Sequence, residues 1–157
     1  MKSNEKEVLV ENFLVQNYIK YYKIAYTYVQ NEADASDIIQ ESAYKAILHS
    51  SSLKDERYVD TWICRIVINE AFQMLRRKKK EKVGMIDISA TIHEETYKNI
   101  DLERALNKLS EDERTIVVLH YFEEYKLMEI ANIMHMNLST TKSKLYRAIK
   151  KLKIQLD

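Results

Sequence analysis

The chain has no proline and a single glycine, Gly84, in 157 residues. Average usage would supply about eight prolines and about eleven glycines at this length. Gly-rich phosphate loops, dinucleotide fingerprints and tight primed hairpins all need glycines this chain lacks. Sandwiches, propellers and barrels are disfavoured for the same reason. There is one cysteine, Cys64, too few for a disulfide framework or a cysteine zinc site, which points to a reducing compartment. No apolar run approaches the roughly 20 residues of a membrane span; the longest, Ile116-Val117-Val118-Leu119, stops at His120. The charged N-terminus, Met1 to Glu7, lacks a signal-peptide core, so a cytoplasmic protein is expected. The histidines at 49, 93, 120 and 135 stand apart without metal-ligand spacing, so no metal, cofactor or catalytic residue is expected.

What is present is charge and helical periodicity. Charged residues make up 31% of the chain and hydrophobic ones 46%, the balance of a soluble globular protein. The net charge of +1 conceals an uneven distribution. Residues 101–137 carry −4, residues 138–157 carry +5, and the seven residues Arg76-Arg77-Lys78-Lys79-Lys80-Glu81-Lys82 carry +5. Two concentrated cationic segments point to a polyanion partner.

The apolar spacing predicts an all-α chain of two small helical domains, 1–82 and 101–157, joined by a flexible linker over 83–100. In the first domain a long helix is expected over 8–29. A second, capped by Asn31 with Asp34 three residues on, should run to about Leu48 and bury Ala35, Ile38, Ile39, Ala43, Ala46 and Ile47. A polar loop over 49–57 precedes a third helix, from about Val59 to about Lys80. Residues 83–100 lose the period and hold the only glycine. In the second domain Ser110-Glu111-Asp112-Glu113 is a capping box opening a helix that ends near Phe122. Two further helices are expected at about 126–134 and 139–155.

Those last two helices, separated by His135-Met136-Asn137 and with the second one basic, form a helix-turn-helix candidate. At 100° per residue from Leu138, the residues Leu138, Thr141, Leu145, Ala148, Ile149, Leu152 and Leu156 fall between about 280° and 20°. Thr140, Ser143, Lys144, Arg147, Lys150 and Lys151 fall between about 120° and 240° on the same wheel. A cationic, hydroxyl-bearing face with no acid before Asp157 suits the major groove, where Arg and Lys read guanine edges and hydroxyls reach phosphates. Ordinary solvated faces mix acids with bases, as residues 101–137 do.

In the first domain, Asp34-Ala35-Ser36-Asp37-Ile38-Ile39-Gln40-Glu41, then Thr61-Trp62-Ile63-Cys64-Arg65-Ile66-Val67-Ile68-Asn69, then Arg76-Arg77-Lys78 resemble the promoter-melting domain of bacterial RNA polymerase sigma factors of the sigma-70 family. The likeness is to the extracytoplasmic function (ECF) group. Glu129-Ile130-Ala131 and Thr140 through Ala148 resemble that group's promoter-reading domain. The resemblance implies a sigma factor that guides core RNA polymerase to promoters and assists strand opening. It implies that Asp34, Asp37, Gln40 and Glu41 dock on the polymerase clamp, where acids and amides can pair with arginines. Gln40 and Glu41 lie too deep in the helix to serve as caps. It implies that the third helix and the loop before it face the −10 element, through Tyr58, Arg65, Asn69, Gln73, Arg76 and Arg77. The second helix of the helix-turn-helix would face the −35 element through Thr140, Ser143, Lys144, Arg147 and Lys151. Trp62 and Cys64 fit structural positions, Cys64 as a half-buried small residue. The implied partners are core polymerase, promoter DNA and an anti-sigma factor, often membrane-anchored in the family, with a monomer when free of them.

Three positions depart from the family pattern. Val59 stands where an aromatic is usual, and His135 and Asn137 replace a glycine and a proline in the turn. His135 is expected in a left-handed conformation, at a cost of about 1 kcal/mol. The competing reading is a stand-alone helix-turn-helix regulator that binds duplex DNA without polymerase. The Gln40-Glu41 helix and the second basic segment argue against it, and a helical adaptor would not need two cationic faces.

Overall fold

A computed structural model describes residues 2–84 and 104–156, and among these every regular element is helical. The chain separates into two compact units, one built mainly from Met1–Lys78, the other mainly from Lys79–Ala131 and His135–Asp157.

The first unit has four helices. The expected long helix over 8–29 is two, α1 (Ser3–Gln16) and α2 (Tyr18–Val29). The break falls at Asn17, whose side-chain amide and backbone N–H both donate to the Phe13 carbonyl while its φ of −115° leaves the helical range. Asparagine competes in this way for helical backbone groups. Helix α3 (Glu32–Leu48) starts where expected: Asn31 Oδ1 accepts from the Asp34 N–H at 2.8 Å. It buries Ala35, Ile38, Ile39 and Ala46, but Ser42 takes the buried place that was expected for Ala43 and Ile47, which are half-buried. Both line an apolar groove of about 390 Å³ between α1 and α3 that also takes in Leu14, Tyr18 and Gln40.

The expected polar loop at 49–57 is ordered as two 3₁₀ turns, Ser50–Ser52 and Glu56–Tyr58, anchored by Leu53, which is 3% exposed. Helix α4 then runs Val59–Gly84. Ile63, Cys64, Val67, Ile68 and Ala71 are its buried side. Cys64 is wholly buried, deeper than expected, because it lies on the same stripe as Ile68 and Ala71. Ile66 and Met74, at the edge of that side, are half-buried. Tyr28 meets Phe72 edge to face at 5.4 Å, a favoured aromatic geometry that ties α2 to α4. Residues 83 and 84, expected in the linker, end α4; the rest of that expected linker, 85–100, lies outside the described residues.

In the second unit residues 104–107 are helical, and Ala105, Leu106 and Leu109 are buried. The capping box forms as expected: the Glu113 N–H donates to Ser110 Oγ at 3.2 Å and the Ser110 N–H to Glu113 Oε1 at 3.1 Å. It opens α5 (Glu111–Val117), whose last turns widen into a π-helical segment, Val118–Phe122. Tyr125 closes that segment: its N–H donates to the Leu119 carbonyl at 2.9 Å, and its carbonyl accepts from His120 Nδ1 at 3.0 Å. Two helices follow, α6 (Leu127–Met134) and α7 (Leu138–Leu156). Ile116, Val118, Leu119, Ile130, Leu145 and Ala148 form the core.

Candidate nucleic-acid interface

Local chemistry sets the turn of the helix-turn-helix. His135 has φ 53°, the left-handed state expected of it. The Met136 N–H then donates to the Ala131 carbonyl at 2.9 Å, closing the end of α6. Asn137 caps α7: its Oδ1 accepts from the Thr140 N–H at 2.7 Å, and its carbonyl accepts from Thr141 Oγ1 at 2.9 Å. The asparagine that stands in the family's proline place thus supplies a cap that proline could not.

Helix α7 buries Thr141, Leu145 and Ala148 and exposes the opposite side. Of the five residues expected to face the −35 element, Ser143 and Arg147 are exposed and Thr140 is half-buried on the same side. Lys144 and Lys151 are placed differently. Lys144 Nζ donates to Asp112 Oδ2 at 2.6 Å, and Lys151 Nζ donates to Glu113 Oε1 at 2.7 Å. Both acids belong to α5, so these lysines clasp α7 to its neighbour in addition to carrying charge. Glu113 is 5% exposed. Burial pushes its carboxyl up, but the hydrogen bonds from Lys151 and Ser110 outweigh this and hold it below its ordinary value. The open face also presents Ser139, Lys142, Lys150 and Tyr146, the last 68% exposed. Placing the wheel on Thr141, Leu145 and Ala148 instead of on Leu138 turns the exposed side toward these four.

In the first unit Tyr58, Arg65, Asn69, Gln73, Arg76 and Arg77 are all exposed. Five lie along α4; Tyr58 closes the turn before it. That turn is held by Arg57, which grips Asp55 at 2.7 Å and lies over the Tyr58 ring at 5.8 Å. Hydrogen bonds from Arg57 hold the Asp55 carboxyl below its ordinary value. The start of α4 is fixed by Asp60, which accepts from Lys20 Nζ at 2.8 Å and from Tyr21 Oη at 2.5 Å. Burial, then the hydrogen bond to Asp60, pushes the Tyr21 phenol far above its ordinary value.

The four residues expected to dock on polymerase do not form one surface. Asp37, Gln40 and Glu41 are exposed. Asp34 is turned inward, with its carboxylate accepting from Asn31 Nδ2 at 2.7 Å and paired with Lys78 of α4. Gln40 borders the apolar groove between α1 and α3, whereas Asp37 and Glu41 line a polar groove between α3 and α4. An ion pair of half-buried Lys45 with buried Glu70 lies in that polar groove. Glu70 had no signal in the sequence: it stands mid-helix among apolar residues, and only the fold brings Lys45 to it. Among the described residues no cluster of His, Cys, Asp or Glu could hold a metal, and no helix is long and apolar enough to cross a membrane.

Two helical units, one ending in a cationic helix and the other carrying a helix-turn-helix, define a promoter-binding architecture. Comparison with known proteins gives it a family. Residues 13–81 match sigma-70 region 2 and residues 99–152 match sigma-70 region 4. RNA polymerase sigma factor SigV of Bacillus subtilis is 35% identical, across 99% of this chain and 95% of that one. The ECF sigma factor SigW of the same species is 26% identical, over 87% of this chain and 83% of its own. Among solved structures, the sigma factor RpoE of Bartonella quintana, in complex with the anti-sigma factor NepR, superposes with a TM-score of 0.75. It is 24% identical and covers 93% of this chain and 95% of its own. CnrH, in complex with the cytosolic domain of CnrY, also gives 0.75, at 18% identity, covering 94% of this chain and 87% of its own. The chain belongs to the sigma-70 family of RNA polymerase sigma factors, in its ECF group. Its function is promoter-specific initiation of transcription with RNA polymerase core.

Proposed function

We propose that residues 1–84 dock on core polymerase and open the −10 element, and that residues 101–157 read the −35 element, with 85–100 as the tether. Asp37 and Glu41, on the polar groove, and Gln40, at the edge of the apolar one, offer acid and amide groups to arginines of the polymerase clamp. Arg65, Asn69, Gln73, Arg76 and Arg77 track the displaced strand, with Tyr58 as a surface on which a base can stack. Arg147, Ser143 and Thr140 read base edges and phosphates, while Lys144 and Lys151 act on DNA through their field and on α7 through Asp112 and Glu113. The observation that carries this reading is the exposed face of α7, which bears hydroxyls and cations and no acid. The protein works in the cytoplasm, carries out no catalytic step of its own, needs no cofactor and is a monomer when free. An anti-sigma factor holds it inactive, as the complexes of RpoE with NepR and of CnrH with CnrY suggest by analogy.

The test is a charge reversal on an exposed position. Glu41→Lys should leave the circular dichroism spectrum and melting unchanged and weaken core binding at least tenfold in competition against the unsubstituted protein. A folded variant with unchanged core affinity removes α3 from the polymerase interface.

A further inference from the structure

Where α1 meets α3 the packing leaves room. Helix α1 breaks at Asn17, and Leu14, Val15 and Tyr18 on either side of that break line the apolar groove of about 390 Å³. From α3 the groove takes Ser42 and Ala43, two small residues in succession where bulkier side chains would fill the gap. Its floor is closed: Tyr21, Ile39, Ser42 and Val67 are all buried. The volume is more than twice that of the roughly 150 Å³ cavity that holds benzene, and is of the size of small-molecule sites. Two polar side chains reach the floor, and they differ. Tyr21 Oη donates to Asp60 Oδ1 at 2.5 Å. Ser42 is 1% exposed, and its Oγ has no hydrogen-bond partner. A helical serine often gives its hydroxyl to the carbonyl one turn back, but this one does not. A buried water is held by about three polar partners, and Ser42 stands here among Ile39, Ala43 and Val67. The hydroxyl is therefore a buried polar group that the fold leaves unpaid, in an otherwise apolar site.

We propose that this groove binds a small neutral amphiphile, an apolar body of about one ring and a short chain that carries a single hydroxyl and pairs it with Ser42 Oγ. A ligand hydroxyl both donates and accepts, so it satisfies the serine whichever way the serine proton turns. The apolar body lies against Leu14, Ala43 and Ile47 and covers Val15, which is 78% exposed. Removing that surface from water supplies the affinity, and the one hydrogen bond supplies the orientation. Charge sets the class of ligand. Glu11 and Gln40 stand exposed at the rim, and among the described residues that line the groove there is no lysine, arginine or histidine. A carboxylate or phosphate head group would meet the field of Glu11 and bury its charge without a partner. Fatty acids and anionic lipids are therefore disfavoured, and a neutral alcohol or phenol is favoured.

Three probes of one shape test this on the full-length protein: para-propylphenol, propylbenzene and para-propylbenzoate, each titrated while backbone amide shifts are followed by NMR. The phenol should saturate, with its largest shifts at the residues of α1 and α3 that line the groove. It should bind about fivefold tighter than propylbenzene, the worth of one net hydrogen bond. The benzoate should not saturate over the same range. Ser42→Ala should weaken the phenol alone and bring it level with propylbenzene. The same variant should melt no lower than the unsubstituted protein, because it removes a hydroxyl that has no partner. Ala43→Leu, at a half-buried lining position, should fill the groove and remove binding of both neutral probes. Equal affinity for phenol and propylbenzene, a phenol preference that survives Ser42→Ala, benzoate binding as tight as that of the phenol, or shifts centred elsewhere overturns the proposal. So does a lower melting temperature of Ser42→Ala, which would mean that the hydroxyl is already paired in the folded protein. None of these outcomes touches the assignment of α3 to polymerase or of α4 to DNA, which Glu41→Lys and the DNA-binding variants test separately.

Discussion

The two units hold the helices proposed to meet DNA by different means. In the second unit, α7 is gripped from behind: Lys144 and Lys151 reach back to Asp112 and Glu113, and the exposed side is left without an acid. In the first, Arg77 near the end of α4 shares a groove with Asp37 and Glu41 of α3, and Lys78 is paired with Asp34 of α3. A helix that presents a face of one sign is ready to meet DNA. A helix whose cations share a groove with carboxylates has a choice of partners. The first arrangement suits a helix proposed to read sequence; the second leaves cations of α4 beside carboxylates of their own unit.

The comparison can be broken first at α7. Arg147 is exposed on the open face. Arg147→Ala should cost about 1–3 kcal/mol on the cognate −35 sequence and relax selectivity at one or two base pairs. Binding of holoenzyme to a library randomised in that element measures it. An equal loss on every sequence makes Arg147 a phosphate clamp. In the first unit the largest effect is on stability. Lys45→Met leaves the carboxylate of Glu70, 4% exposed, without its ion-pair partner. Because Lys45 itself is about a third exposed, the expected loss is nearer 2 kcal/mol than the full cost for a deeply buried pair. Urea denaturation reads it, and the double change Lys45→Met with Glu70→Leu should recover most of the loss.

A smaller effect tests the clasp behind α7. Ser110→Ala removes the cap of α5 and should cost about 1 kcal/mol in thermal or urea unfolding. The same clasp has a pH signature. The Glu113 carboxyl is held below its ordinary value when folded, so its contribution is present above the unfolded value and fades as pH falls through the folded one. Unfolding followed below about pH 4.5 should show this loss, and Glu113→Gln should remove it. The smallest expected effect is Lys79→Gln, in the basic run at the end of α4. It should weaken DNA binding alike on all sequences and lower the salt slope by about one unit.

Much of this was legible in the sequence, and unevenly so. The second unit's cap at Ser110 and the stripe of α7 follow from spacing over a few residues, which a one-dimensional pattern contains, and the left-handed His135 follows from the glycine that the family carries at that place. The break at Asn17 was missed because the apolar period continues through it; only a side-chain hydrogen bond to Phe13 interrupts the helix. The pairs Asp34–Lys78, Lys45–Glu70 and Lys144–Asp112 join residues 25 or more apart in sequence. Charge patterning placed these side chains on helix faces, but which acid meets which lysine is decided by helix packing. The resemblance grouped Asp34 with Asp37, Gln40 and Glu41, whereas the fold turns its carboxylate toward Asn31 and Lys78.

The most direct test compares promoter binding with and without core polymerase. The full-length protein is titrated onto a duplex promoter fragment selected by the holoenzyme, and onto a scrambled fragment, by fluorescence anisotropy at two salt concentrations. A sigma factor should bind the two fragments alike and weakly when free, and should select the promoter only when core is added. Tight, selective binding by the free protein, unchanged by core, would contradict the account and return the chain to a stand-alone helix-turn-helix regulator.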